Sequence, residues 1–136
     1  MSAGFAIDTN IAIYAFSTDQ RRIIALELLK GEPKISMQLL NEFAAVSLRK
    51  RHAPWPEIIE ALDLIDRLAA SVRALSFDVH HAARSLAQRY KLSFYDALML
   101  AAALLDECEK FYSEDMQHGM VIDGLLTITN PFMEIA

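Results

Sequence analysis

Residues 5–16 read Phe5-Ala6-Ile7-Asp8-Thr9-Asn10-Ile11-Ala12-Ile13-Tyr14-Ala15-Phe16, and this stretch decides the fold. Phe5-Ala6-Ile7 is an unbroken apolar run, the pattern of a short strand buried on both faces. Asp8 ends it, and residues 9–16 can start a helix at once, with Asp8 or Thr9 near its N-terminus. A strand that passes directly into a helix is one step of an α/β domain with a mostly parallel sheet.

The alternation continues downstream. Asp19 is placed to cap a helix over 20–30 that stops at Gly31, and Pro33 to Ser36 reads as a second strand. Ser36 caps a helix over 37–51, Pro54-Trp55-Pro56 breaks it, and Pro56 suits the first turn of a helix over 56–70. Val72 to Phe77 is the third predicted strand, with Asp78 capping a helix over 79–90 and Ser93 another over 94–107. Lys110 to Ser113 and Leu125 to Thr129 complete the set. The fold class is therefore α/β, with a short, mostly parallel central sheet of about five strands flanked by helices. Without linkers, repeats or low-complexity tracts, residues 1–136 are expected to form a single domain.

Composition bounds the function. The chain has 136 residues, 54% of them apolar and 23% charged, which excludes intrinsic disorder. Cys108 is the single cysteine, so no intrachain disulfide forms and a cysteine-based zinc site is excluded in practice. Met1 to Phe5 shows no basic region leading into an apolar one, so no signal peptide is expected. The longest apolar run, Ala97 to Leu105, falls far short of the roughly 20 residues of a membrane span. A cytoplasmic setting with no membrane partner is the expectation. The net charge of −5 argues, by itself, against the basic footprint of a duplex-binding module. The charge is segregated, however. Residues 1–91 carry 12 basic and 10 acidic side chains, whereas residues 92–136 carry one basic residue, Lys110, and eight acidic ones.

In parallel sheets ligands bind beyond the carboxyl ends of the strands, so the residues just after each strand matter most. Asp8 follows the first strand. A helix cap explains one such residue easily and three polar residues in a row less well. Asp115 follows the fourth strand in Tyr112-Ser113-Glu114-Asp115, where a polar turn would also account for it. Asp96 lies in the first turn of a helix, nearly at capping-box spacing from Ser93, and is the only charge between Lys91 and Asp106. Glu42 is mid-helix, where an exposed carboxylate is common, yet Gln38, Leu39, Ala45 and Val46 beside it do not make a plainly solvated face. Together the four acids would supply hard oxygen ligands for Mg²⁺ or Mn²⁺. Thr9, Asn10 and Ser113 would orient the carboxylates or bound waters.

These segments resemble a known family. Ile7-Asp8-Thr9-Asn10, Asn41-Glu42-Phe43, Leu92-Ser93-Phe94-Tyr95-Asp96-Ala97-Leu98 and Tyr112-Ser113-Glu114-Asp115-Met116-Gln117-His118-Gly119 are similar to PIN-domain proteins, and specifically to VapC-type toxins of bacterial toxin–antitoxin pairs. The ending Ile128-Thr129-Asn130-Pro131-Phe132 also fits, so the likeness runs from about residue 5 to residue 132. The resemblance implies a PIN-like three-layer sandwich and a metal-dependent endoribonuclease that cuts structured RNA such as tRNA. It implies that Asp8, Glu42, Asp96 and Asp115 are the catalytic, metal-binding acids, with Thr9, Asn10 and Ser113 in support. It further implies a homodimer and a VapB-type antitoxin, an Arg of which would reach the acidic site.

An RNA substrate needs cations near these acids. Arg49-Lys50-Arg51, after the helix of Glu42, is the first candidate cluster, Arg21-Arg22 the second, and His118 a further phosphate contact; solvated helix ends explain the arginines equally well. A competing class is a non-catalytic α/β module whose acidic pocket docks an Arg-bearing partner. A receiver-type phosphotransfer domain is disfavoured, because it wants a lysine at a late strand end and Lys110 begins its strand.

Overall fold

The computed structural model describes residues 4–134; the leader expectation for Met1–Ala3 lies outside them. β1 (Phe5–Ile7), β2 (Lys34–Ser36), β3 (Ser71–Arg73), β4 (Lys110–Tyr112), β5 (Val121–Ile122) and β6 (Leu126–Thr129) form one sheet in the order β3-β2-β1-β4-β6-β5. All neighbours pair in parallel except β5, which runs antiparallel to β6 at one edge. The five expected strands are present and mutually parallel. Around them lie α1 (Thr9–Ala15), α2 (Arg22–Lys30), α3 (Met37–Arg49), α4 (Trp55–Leu68), α5 (Phe77–Tyr90) and α6 (Phe94–Leu105).

The chain steps from β1 to β2 to β3 in one direction, then returns to lay β4 on the other flank of β1. Right-handed crossovers therefore place α1–α4 on one face and α5 and α6 on the other, which gives the three layers. The helix contacts agree: α1 packs on α2 and α3, α3 on α4, and α6 on α5 and β2. The longest apolar run becomes the innermost helix. Ala97–Ala103 of α6 are all buried, as a helix that is apolar all round must be. Ile7, Ile35, Phe111 and Ile128 meet it and the facing helices from the sheet. No helix of the described residues is long and apolar enough to cross a membrane.

Three local expectations are corrected. The third strand is Ser71–Arg73, not 72–77, because Ser76 rather than Asp78 caps α5, its Oγ accepting the Val79 N–H at 3.3 Å. Phe77 thus starts a helix and lies outside the sheet, 73% exposed. Asp19 does not cap α2: its carboxylate accepts the Arg21 N–H and guanidinium, and the helix begins at Arg22. The sixth strand, β5, was missed, although its signal is plain. Asp123 and Gly124 both have positive φ, and the Leu125 N–H bonds the Ile122 carbonyl at 2.9 Å. An Asp-Gly pair between apolar runs is the usual mark of such a hairpin, because glycine tolerates the left-handed region.

Candidate functional site

The order in which strands are added reverses between β1 and β4, and because the two are parallel their carboxyl ends lie side by side, with Ile7 opposite Tyr112. A parallel sheet offers its binding crevice at such a point. The Asp8 N–H continues the ladder to the Tyr112 carbonyl at 2.8 Å. Asp8 is 7% exposed, and its two oxygens are held separately: Oδ1 accepts the Thr9 N–H and Oδ2 the Ser113 hydroxyl, each at 2.7 Å. An ordinary N-cap accepts from the second or third N–H of its helix. Asp8 instead uses the first, and a hydroxyl 105 residues further along the chain. Ser113 is fully buried, and its oxygen accepts the Met116 N–H at 3.1 Å, so its single proton is directed to Asp8.

Glu42, Asp96 and Asp115 face the same cleft of about 280 Å³, whose wall also includes Thr9, Asn10 and Lys50. Glu42 arrives from α3 and is held by the Gln38 amide at 3.1 Å and the Thr9 hydroxyl at 3.3 Å. Asp96 arrives from the first turn of α6, where Ser93 takes up the Asp96 N–H as the sequence spacing requires. Asp115 stands on the loop after β4 and is exposed. The chain thus brings the four acids to one opening from four separate elements.

The electrostatics of this cleft are unbalanced. Burial, aided by Asp96 and Glu42 and opposed by Ser113 and Thr9, pushes the Asp8 carboxyl up to about 6. Burial and Asp115 also raise Asp96. The ion pairs found among the described residues join Arg21 to Asp19 and Glu114, Arg73 to Asp106 and Arg89 to Asp123. None includes Asp8, Glu42, Asp96 or Asp115. Lys50 is the one cation in the wall among the described residues. Both polar atoms of the Asn10 amide are buried there without a partner.

This donor set suits a hard divalent ion: four carboxylates, an unpartnered amide, and no His or Cys in the wall. Among the described residues no three Asp, Glu, His or Cys side chains converge into a ready-made cage. Mg²⁺ keeps several waters and is commonly held by only one or two carboxylates, so a closed cage is not required for it. Cys108 lies elsewhere, buried, with its thiol pushed up to about 11 by desolvation, so it is no nucleophile.

A family model described as the PIN domain matches residues 5–119. The chain belongs to the PIN domain family. Among solved structures, a chain of a toxin–antitoxin complex from Klebsiella pneumoniae matches with a TM-score of 0.70 and 26% identity, over 94% of this chain and 97% of that one. A chain of the VapBC2 complex of Rickettsia felis bound to promoter DNA gives 0.65 and 19%, over 93% and 98%. VapC20 of Mycobacterium tuberculosis, a sarcin–ricin loop cleaving toxin, gives 0.65 and 20%, over 82% and 91%. The last two likenesses concern the PIN fold alone. No curated protein gives a significant sequence match.

The basic candidates of this PIN domain separate. Lys50 lines the acidic cleft, and Arg49 lines an adjacent groove. Arg51 instead reaches the Ile13 and Phe16 carbonyls at the end of α1, at 3.5 and 3.2 Å. Arg21 is engaged by Asp19 and Glu114 and lies over the Tyr14 ring, 5.0 Å from its centre. His118 is not part of the cleft wall; its Nδ1 accepts the Asn130 N–H at 3.0 Å and braces the last turn. Two contributors were missed as such. Gln38 holds Glu42, and its i, i+4 spacing was the available signal. Tyr14 donates to Glu114 at 2.6 Å, tying down the residue before Asp115. Burial and that carboxylate push the Tyr14 hydroxyl up to about 12, so it remains a donor.

Proposed function

We propose that this PIN-domain protein is a metal-dependent endoribonuclease of the VapC toxin type, cutting structured RNA such as tRNA and inhibited by a VapB-type antitoxin. The observation that carries the reading is Asp8: a buried carboxylate raised to about 6, facing three further acids with no ion-pair partner, at the point where the strand order of the sheet switches. Asp8, Glu42, Asp96 and Asp115 would hold Mg²⁺ or Mn²⁺. The ion would supply a water of lowered pKa and offset charge at the phosphate. Ser113 and Thr9 fix the two Asp8 oxygens, and Gln38 and Thr9 fix Glu42, so the carboxylates are oriented before anything binds. Asn10 offers a buried amide whose nitrogen and oxygen are both unpartnered, and Lys50 draws the RNA phosphate to the cleft.

The 26% identity with a chain of a toxin–antitoxin complex supports the antitoxin partner. A homodimer is part of the proposal. The exposed aromatic surface formed by Phe77, His80, His81 and Phe94 on α5 and α6 supports it. The spread of the carboxylates favours one alternative, a docking pocket for a partner's guanidinium without catalysis.

Incubation of the purified protein with tRNA in Mg²⁺ or Mn²⁺ separates the two readings. Cleavage that stops on chelation, and in folded Asp8→Ala and Asp96→Ala variants, is the expected result. Undiminished cleavage in both variants would sink the site, and calorimetry showing no acid-dependent Mn²⁺ binding would favour the docking pocket.

A further inference from the structure

The first turn of α6 delivers two neighbouring side chains to two different hollows. Asp96 lines the acidic cleft, whereas Tyr95 lines a second groove of about 650 Å³ with Asn41, Ala45 and Arg49 of α3. Glu42 and Val46 line both, so the hollows share a wall. Tyr95 is 63% exposed, an open aromatic face beside the site. Asn41 and Arg49 are exposed, and among the described residues neither side chain forms a hydrogen bond or ion pair. From Asn41 to Arg49 the helix rises about 12 Å.

We propose that this groove is a subsite for one unpaired nucleotide next to the scissile phosphate: Tyr95 stacks on its base, Asn41 reads the base edge and Arg49 takes a flanking phosphate. The proposal rests on the ribonuclease reading above. Each group fits the chemistry of a single-stranded RNA ligand. An exposed ring offers stacking to any base, and an amide with one acceptor and two donors matches a base edge. A guanidinium pairs well with a phosphate. A base inside a duplex keeps its face covered, so the subsite selects loops, bulges and ends. Because Glu42 and Val46 line both hollows, a base seated on Tyr95 lies next to the acids.

The test uses dye-labelled single-stranded oligoribonucleotides of differing base, with binding read by anisotropy in EDTA and cleavage products sequenced in Mg²⁺ or Mn²⁺. Tyr95→Leu is expected to weaken binding by at least about 5-fold and to scatter the cleavage positions, whereas Tyr95→Phe, which keeps the ring, behaves like wild type. Asn41→Ala is expected to narrow the preference between bases. Arg49→Ala lowers the slope of log affinity against log salt by about 0.7. If Tyr95→Leu binds and cuts as wild type does, the subsite is overturned and the ribonuclease reading stands. RNA neither bound nor cut by wild type overturns both. A dimer-to-monomer shift of Tyr95→Leu in sedimentation makes Tyr95 a contact between copies and also overturns the subsite.

Discussion

Asp8 and Asp123 are the same side chain directly after a strand, and they titrate in opposite directions. Asp123 follows β5 at the sheet edge, where Arg89 donates to it at 2.6 Å and the Tyr90 hydroxyl at 3.2 Å. Those bonds hold its carboxyl below the ordinary value. Asp8 follows β1 in the middle of the sheet, accepts a backbone N–H and a neutral hydroxyl, and is raised to about 6. The structural carboxylate carries its own cation; the one in the cleft has donors that orient it and nothing that neutralises it. Like charges and burial so arranged cost stability and persist where a ligand brings the missing charge.

The largest expected effect lies at Asp8. Its folded pKa is above the value of 3.8 for a free side chain, so the folded state binds the extra proton. Without a divalent ion, the contribution of Asp8 to stability is then fully present below about 3.8 and is lost as pH rises through about 6, by up to about 3 kcal/mol. Asp8→Asn should remove that decline in denaturant titrations run from pH 4 to 7, while cutting RNA cleavage by roughly 100-fold or more. A variant less stable than wild type at pH 7 in EDTA would mean that Asp8 is a structural residue like Asp123.

Ser113→Ala comes next. It strips the buried Asp8 oxygen of its donor and the Met116 N–H of its acceptor, at a cost of about 1–3 kcal/mol by urea unfolding. The Asp8 carboxyl should rise further, moving the stability decline to higher pH. Asp123→Asn marks the small end. It loosens a partly exposed pair, costs under about 1 kcal/mol, and leaves RNA cleavage unchanged. The Asp123 contribution has the opposite sign with pH, being present above 3.8 and lost as pH falls. A fall in activity for this variant would erase the distinction between the two aspartates.

Much of this was legible locally. Short runs centred on Ala6, Ile35, Phe111 and Ile128 marked four of the parallel strands, Ser36 and Ser93 marked helix starts, and the acids after β1 and β4 stood out because each follows such a run. The errors arose where local signals compete. Ser76 and Asp78 are both good caps, and an apolar run through Phe77 reads as a strand until the cap ends it. At the acids themselves, local sequence offered a cap, a turn and an exposed helix face, and each reading was chemically sound. Asp96 does sit under a Ser93 cap; what differs is where its carboxylate points.

Periodicity, caps and strand-end carboxylates are properties of neighbouring residues, so element types and the candidate acids could be read from the order of residues alone. Which acid has a cation cannot, because that depends on contacts between residues far apart in the chain. Arg89 meets Asp123 across 34 positions, Arg21 meets Glu114 across 93, and Ser113 meets Asp8 across 105. Three consecutive cations, Arg49, Lys50 and Arg51, look equivalent on paper. Helix geometry and packing send them to a groove, the acidic cleft and the end of α1. Long-range pairing decided which carboxylates are neutralised by the protein's own cations and which are not.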